Sequence, residues 1–225
     1  MTKQRPIEAL KAALTDKLHI DLKKNPLRLN KEGNAVVIEG TVDGIALKKR
    51  ALFIAMSLEG LSGVIDRLKV RPSSAMSDAE IKDHLIDAIT EEQTLQSCDI
   101  RAEVHDGIID IEGTVPSLSH KRLAGTLAWW IPGTTDVINS LEVSPAEEDS
   151  DDEIEDALRT ALEKDSLVNE SGIKISVKNW VVTLDGSVKS DAEKNAAEAD
   201  AWYTWGVNDV RNNLTVTHAV TQRRQ

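Results

Sequence analysis

The chain has a single cysteine, Cys98, in 225 residues. No intramolecular disulfide framework and no cysteine-rich zinc module can therefore hold it together. Nor does it contain a run approaching the roughly 18 apolar residues that a membrane-spanning helix requires, which excludes a helical transmembrane protein. The opening residues, Met1 to Pro6, are basic but lead into Glu8, Lys11 and Asp16 rather than an apolar stretch, so they do not read as a secretory signal and the expected location is cytoplasmic. Catalytic patterns are missing too. His19, His84, His105, His120 and His218 follow no common spacing, Cys98 has no candidate base near it in sequence, and there is no phosphate-binding loop or metal-ligand motif. The chain is expected to be non-enzymatic and to carry no cofactor.

The net charge of −11 is unevenly distributed. Residues 1–73 hold 14 Lys and Arg against 8 Asp and Glu, leaving +6, whereas residues 74–146 hold 4 against 13, leaving −9. Residues 147–225 hold 9 against 17, leaving −8. Such asymmetry implies that different parts of the chain meet different partners, or each other.

A fixed period explains the division into thirds. Gly40, Gly113 and Gly186 are each 73 residues apart, and so are Gly60, Gly133 and Gly206. The Leu-x-Val endings Leu68/Val70, Leu141/Val143 and Leu214/Val216 keep the same offset, as do Lys48, Lys121 and Lys194. Self-similarity of this kind settles architecture before any element is assigned. The chain is three copies of one unit, with boundaries at 1–73, 74–146 and 147–225.

Within each copy the pattern is helix, strand, strand, helix, strand. The capping boxes Ser77-x-x-Glu80 and Ser150-x-x-Glu153 start helices whose apolar residues recur at helical spacing, and Leu10, Leu14 and Leu18 do the same in copy one. Short alternating runs follow at 27–32 and 36–40, 100–104 and 108–113, and 173–177 and 181–186. Gly33-Asn34 and Asp106-Gly107 suit two-residue hairpin turns, whereas Asn179-Trp180 does not, because a large side chain tolerates positive φ poorly. The second helix is expected to start near Gly44, Ser117 and Ser190 and to be capped by the glycine of the second set. A right-handed strand–helix–strand crossover then places both helices on one face of a three-stranded mixed sheet, giving three tandem α/β (α+β) domains.

The motifs Val182-x-Leu184-x-Gly186-x-Val188 and Gly206-Val207-x-Asp209-Val210-x-Asn212-x-Leu214-x-Val216 resemble the BON domain of bacterial osmotically inducible and nodulation proteins. Copy two resembles it through Ile109-x-Ile111-x-Gly113-x-Val115 and Gly133-x-x-Asp136-Val137-x-Asn139-x-Leu141-x-Val143. Copy one keeps Val36-x-Ile38-x-Gly40-x-Val42, Gly60 and Leu68-x-Val70 but has Asp66 and Arg67 in place of the asparagine pattern. The resemblance implies a non-catalytic module that associates with phospholipid or membranes.

Three groups of residues are candidates for contact or for structure. The glycines Gly40, Gly113, Gly186, Gly60, Gly133 and Gly206 are expected to serve the backbone, through unusual dihedrals or close approach. Aromatic residues form only 3% of the chain, yet Trp129-Trp130 and Trp202-Tyr203 share one place near the end of the second helix, with Trp205 close by. At least one indole per helix is expected to be partly exposed, as suits a membrane interface or protein contact; the competing expectation is packing between copies. The basic cluster Lys48, Lys49 and Arg50 is expected either to attract anionic phospholipid head groups or to dock onto the acidic copies. Asp200 stands where copies one and two have Ile54 and Leu127, so either its helix rotates or its carboxylate finds a partner.

The leading expectation is a peripheral protein at the inner membrane, bound to anionic phospholipid head groups or a membrane-bound protein. The alternative is a soluble, self-associating scaffold or stress-response protein whose aromatic helix ends make protein contacts, with a homo-oligomer as one form. Gly60-Leu61-Ser62-Gly63 imitates a nucleic-acid-gripping loop, but it occurs in one copy of an acidic chain, so nucleic acid is not an expected partner.

Overall fold

Each copy folds as helix, strand, strand, helix, strand in the computed structural model, which describes residues 5–18, 26–33, 35–58, 63–144 and 150–217. Copy one comprises α1 (Arg5–Leu18), β1 (Arg28–Glu32), β2 (Ala35–Val42), α2 (Ile45–Met56) and β3 (Gly63–Val70). Copy two comprises α3 (Asp78–Glu91), β4 (Asp99–His105), β5 (Ile108–Val115), α4 (Leu118–Trp130), β6 (Asp136–Asn139) and β7 (Glu142–Val143). Copy three comprises α5 (Asp151–Lys164), β8 (Ile173–Lys178), β9 (Val181–Val188), α6 (Asp191–Tyr203), β10 (Asp209–Asn212) and β11 (Thr215–Val216).

The second strand is central in every sheet. It pairs antiparallel with the first through the hairpin and parallel with the last through the helical crossover, as Leu29 opposite Ile38, Ala102 opposite Ile111 and Ile175 opposite Leu184 illustrate for the hairpins. In copies two and three the last strand breaks in two. There Asn139 Oδ1 accepts from Leu141 N–H, and Asn212 Oδ1 from Leu214 N–H, two residues on. The same amides donate back to the crossover helix, Asn139 to Lys121 O at 2.7 Å and Asn212 to Lys194 O at 3.1 Å. Copy one keeps the first bond through Asp66 and Leu68 N–H, but a carboxylate has no N–H to donate. The ammonium of Lys48 links that carboxylate to the crossover helix instead, pairing with Asp66 at 3.1 Å, and it also donates to Leu68 O at 2.6 Å, as Lys194 does to Leu214 O in copy three.

Gly40, Gly113 and Gly186 sit on the central strand at φ 147°, 133° and 125°. A Cβ there would stand 2.7 Å from Pro26 O, 1.8 Å from Asp99 O and 2.1 Å from Gly172 O, so the neighbouring backbone leaves no room for a side chain. At these three positions the backbone geometry admits only glycine.

The second set of glycines behaves otherwise. The crossover helices end at the caps Ser57, Ile131 and Thr204, before the glycines, so a glycine cap does not terminate them. Gly206 takes φ 93° in the following turn, Gly133 admits Ile81 and Met76, each 2.8 Å from where its Cβ would be, and Gly60 lies outside the described residues. The hairpin of copy three also departs from expectation, since Asn179 and Trp180 do form the tight turn, at φ 51° and 59°. Its backbone is clamped: Asn179 N–H and Trp180 N–H both donate to the Asp151 carboxylate, at 2.7 and 2.8 Å. Asp78 holds Asp106 and Gly107 in the same way in copy two, at 2.9 Å each. Two short charge-assisted bonds thus tie the first helix to its hairpin in each of copies two and three, and the pair in copy two holds the Asp78 carboxyl below its usual range.

Each copy has its own core, assembled from the apolar stripe of its helices and the inward residues of its central strand. Ile45 of copy one is the exception, buried in the core of copy three.

Candidate functional site

The basic cluster at the start of α2 faces the other two copies. Lys48 reaches Asp136 of copy two at 2.6 Å, in addition to Asp66 of its own copy. Lys49 donates to Thr204 O and Val207 O of copy three, each at 3.3 Å. Arg50 contacts Asp209 Oδ1 at 3.4 Å and Val210 O at 3.3 Å, with its guanidinium 5.0 Å above the ring of Trp202. Dehydration around the Lys49 ammonium lowers its pKa to about 7. Burial raises the pKa of Asp136, while Lys48 opposes that shift. The charge division read along the chain is therefore resolved within it, with basic copy one docked on acidic copies two and three.

The aromatic helix ends meet at the same junction. Trp202 is 1% exposed and belongs to the core of copy three, so the exposure expected of an indole on that helix is not found. The reason is that Arg50 and the start of α2 cover it. Trp129 stacks on Tyr203, ring centroids 5.8 Å apart and planes 7° off parallel. Trp130 donates its indole N–H to Asp200 Oδ1 at 2.8 Å. Asp200 therefore finds a partner, and α6 does not rotate: Ala197, Asp200, Ala201 and Trp202 are its buried residues beside Glu193. Burial pushes the Asp200 carboxyl up to about 8, and the neighbouring Asp165 carboxylate adds to the rise. Burial also raises Tyr203.

Arg122 lies outside the basic cluster that the charge pattern picks out, and the 73-residue period is the signal that identifies it. It occupies the place of Lys49 one period on, is buried, and donates from Nε to Trp205 O at 3.0 Å. Lys49 and Arg122 thus converge from two copies on the carbonyls of one turn, where the end of α6 leaves acceptors without helical partners. Trp205 remains 43% exposed although Lys121 lies 5.0 Å from its ring centroid. Glu153 is drawn away from its capping role, accepting from Ser119 at 3.2 Å, whereas Ser77 and Glu80 complete their box. Farther along the seam between copies two and three, Lys164 pairs with Glu92 at 2.6 Å.

Two features of this assembly face outward. A cleft of about 690 Å³ opens where the three copies meet, lined by Trp129, Trp130, Tyr203, Asp165 and Asp200 among others. A second groove of about 320 Å³ runs between α2 and the β8–β9 hairpin, lined by Phe53, Ile54, Asn179 and Val181 among others. Beside it Phe53 is 54% and Trp180 44% exposed. Among the described residues no helix is long and apolar enough to cross a membrane, and no group of three His, Cys, Asp or Glu is placed to hold a metal ion.

Osmotically-inducible protein Y of Escherichia coli K12 is 26% identical over 156 residues, covering 67% of this chain and 78% of the relative. The C-terminal domain of CdsD, a structural protein of the type III secretion system of Chlamydia trachomatis, aligns over 90% of this chain and 98% of its own at 15% identity, with a TM-score of 0.27. A second CdsD structure aligns over 96% and 99% at 15% identity, with a TM-score of 0.28. The BON domain model matches residues 8–72, 77–145 and 150–218, so the chain belongs to the BON domain family and carries three copies in tandem.

Proposed function

We propose that this chain is a non-enzymatic stress-response protein that associates peripherally, from the cytoplasmic side, with phospholipid surfaces or a membrane-bound partner. Its contact edge is the one formed by α2 and the β8–β9 hairpin. The stress role rests on the likeness to osmotically-inducible protein Y. The contact role rests on Trp180. Copy two has Gly107 at the corresponding place, yet copy three keeps a bulky, 44% exposed indole at φ 59°. Backbone strain held by surrounding bonds is characteristic of functional positions. Phe53 and Met56 are exposed on α2, and Lys178 is exposed beside the hairpin turn. An indole with neighbouring apolar and basic side chains suits the head-group layer. Lys48, Lys49 and Trp202 are not part of this edge, because they hold the copies together, whereas Arg50 both binds copy three and lines the groove.

Co-sedimentation with anionic and zwitterionic vesicles at low and moderate salt, with tryptophan emission followed in parallel, tests the reading. The expected result is salt-sensitive binding to anionic vesicles with a blue shift, reduced about tenfold or more by W180G with F53S. Binding that is absent, or indifferent to these substitutions, overturns it.

A second reading is a soluble scaffold that binds other proteins or itself. The packing of Trp129 and Trp202 between copies favours it, since this is the contact that such a protein would reuse between molecules. It predicts salt-dependent association, and scattering that shows a 24.7 kDa monomer at every ionic strength removes it.

A further inference from the structure

The cleft at the junction of the three copies combines an aromatic wall with two carboxyl groups. Trp129, Trp130 and Tyr203 line it, together with Asp165 and Asp200. Asp200 is 1% exposed. One of its oxygens accepts the Trp130 indole N–H, and the other, Oδ2, is buried against the Asp165 carboxylate, to which a protonated Asp200 donates. The remaining charges of the lining have partners of opposite sign. Asp43 pairs with Arg71 at 2.9 Å, and Lys164 with Glu92 at 2.6 Å. Asp165 accepts a backbone bond from Leu167 N–H but has no cationic partner among the described residues. At about 690 Å³ the cleft is within the roughly 300–1,000 Å³ usual for small-molecule sites.

These features select among ligand classes. An anion would meet Asp165 and Asp200, and a neutral apolar ligand would leave the charge shared by the two carboxyl groups without a counter-ion. A small metal ion favours a shell of oxygen ligands over indole and phenol rings. A weakly hydrated organic cation satisfies both halves of the lining, its charge on the carboxylates and its alkyl groups on the rings. We propose that this cleft binds an alkylammonium cation, held by the Asp165 and Asp200 carboxylates and enclosed by Trp129, Trp130 and Tyr203.

Binding is coupled to protons. Burial keeps the Asp200 carboxyl protonated up to about pH 8, with Asp165 and Tyr203 as its titratable neighbours in the cleft and the Lys164 and Arg71 pairs at its margin. A cation needs the ionised form, whose population rises from roughly a tenth at pH 7 to nine tenths at pH 9, so affinity increases about tenfold over that interval and a proton is released.

The test is a fluorescence titration of the full chain with tetramethylammonium chloride, against sodium chloride at equal ionic strength, at pH 7 and pH 9. The expected result is a saturable change specific to tetramethylammonium, about tenfold tighter at pH 9. D200N keeps an acceptor for Trp130 and is expected to weaken binding and abolish its pH dependence. D165N, at the end of α5, provides a second loss of affinity should D200N fail to fold. Superimposable curves for the two salts at both pH values overturn the proposal, as does binding unchanged in both variants. Once saturable binding is established, phosphatidylcholine vesicles that displace the probe identify a lipid head group as the source of the cation, and vesicles that do not identify a soluble ammonium compound.

Discussion

At Trp180 the local and the functional requirements of one residue conflict. Its φ of 59° is costly for a side chain that carries an indole, and the two bonds to Asp151, the flanking strands and the bond from Asn208 N–H to Trp180 O keep the turn closed. W180G removes that strain as well as the indole, and Gly107 shows that the family's turn accepts glycine at this place. We expect W180G to stabilise the chain by about 1 kcal/mol, read from the urea midpoint, while vesicle binding falls. A destabilised W180G would mean that the indole contributes packing to the fold. The turn's type was legible in copies one and two from Gly33 and Gly107; in copy three residue preference pointed the other way, because a clamp supplied by Asp151, 28 residues earlier, outweighs it.

Among elements, the crossover helix and its following strand form the unit that adapts from copy to copy. Asn139 bridges the two by accepting from Leu141 and donating to Lys121 O. Gly125 on α4 leaves room for it, since a Cβ there would lie 2.9 Å from its amide nitrogen. Asp66 performs the accepting half in copy one only because Lys48 supplies the missing donor. In copy two the corresponding Lys121 ammonium lies over Trp205, so an aspartate at 139 would set a carboxylate against Lys121 O with the ammonium directed elsewhere. We expect N139D to cost about 2–3 kcal/mol in urea denaturation, more than the roughly 1 kcal/mol of a single lost hydrogen bond. Rescue to near wild-type stability without any change in Lys121 would refute the bridging role. The helices and strands themselves were evident from spacing and capping serines, but where the helices end was not, since Ser57, Ile131 and Thr204 are not residues that announce a cap.

For the whole molecule, two buried titrations oppose one another. Lys49 has its pKa lowered from 10.5 to about 7, so between those values the unfolded chain holds a proton that the folded chain has released, and stability rises with pH. Asp200 has its pKa raised from 3.8 to about 8, so the folded chain holds the extra proton in that window and stability falls as pH rises through it. Urea midpoints from pH 4 to pH 10 are expected to lose their upper rise in K49M and their lower fall in D200N. A profile unchanged by either substitution would show that the junction is open to water in solution. Both groups lie where copies meet, so the same profile reports whether the three domains stay docked.

The sequence by itself determined the repeat, the order of elements and the glycines of the central strand, because each copy contains the local information for its own hairpin, crossover and core. It also revealed the charge imbalance between the thirds. Only the tertiary structure decided how that imbalance is used. Whether Arg50 faces a head group or the ring of Trp202, and whether Asp200 is solvated or bonded to Trp130, depends on the way in which the copies pack. That packing is set by contacts between residues 70 or more positions apart, such as Arg50 with Asp209 and Trp130 with Asp200, and no period within a single copy encodes them.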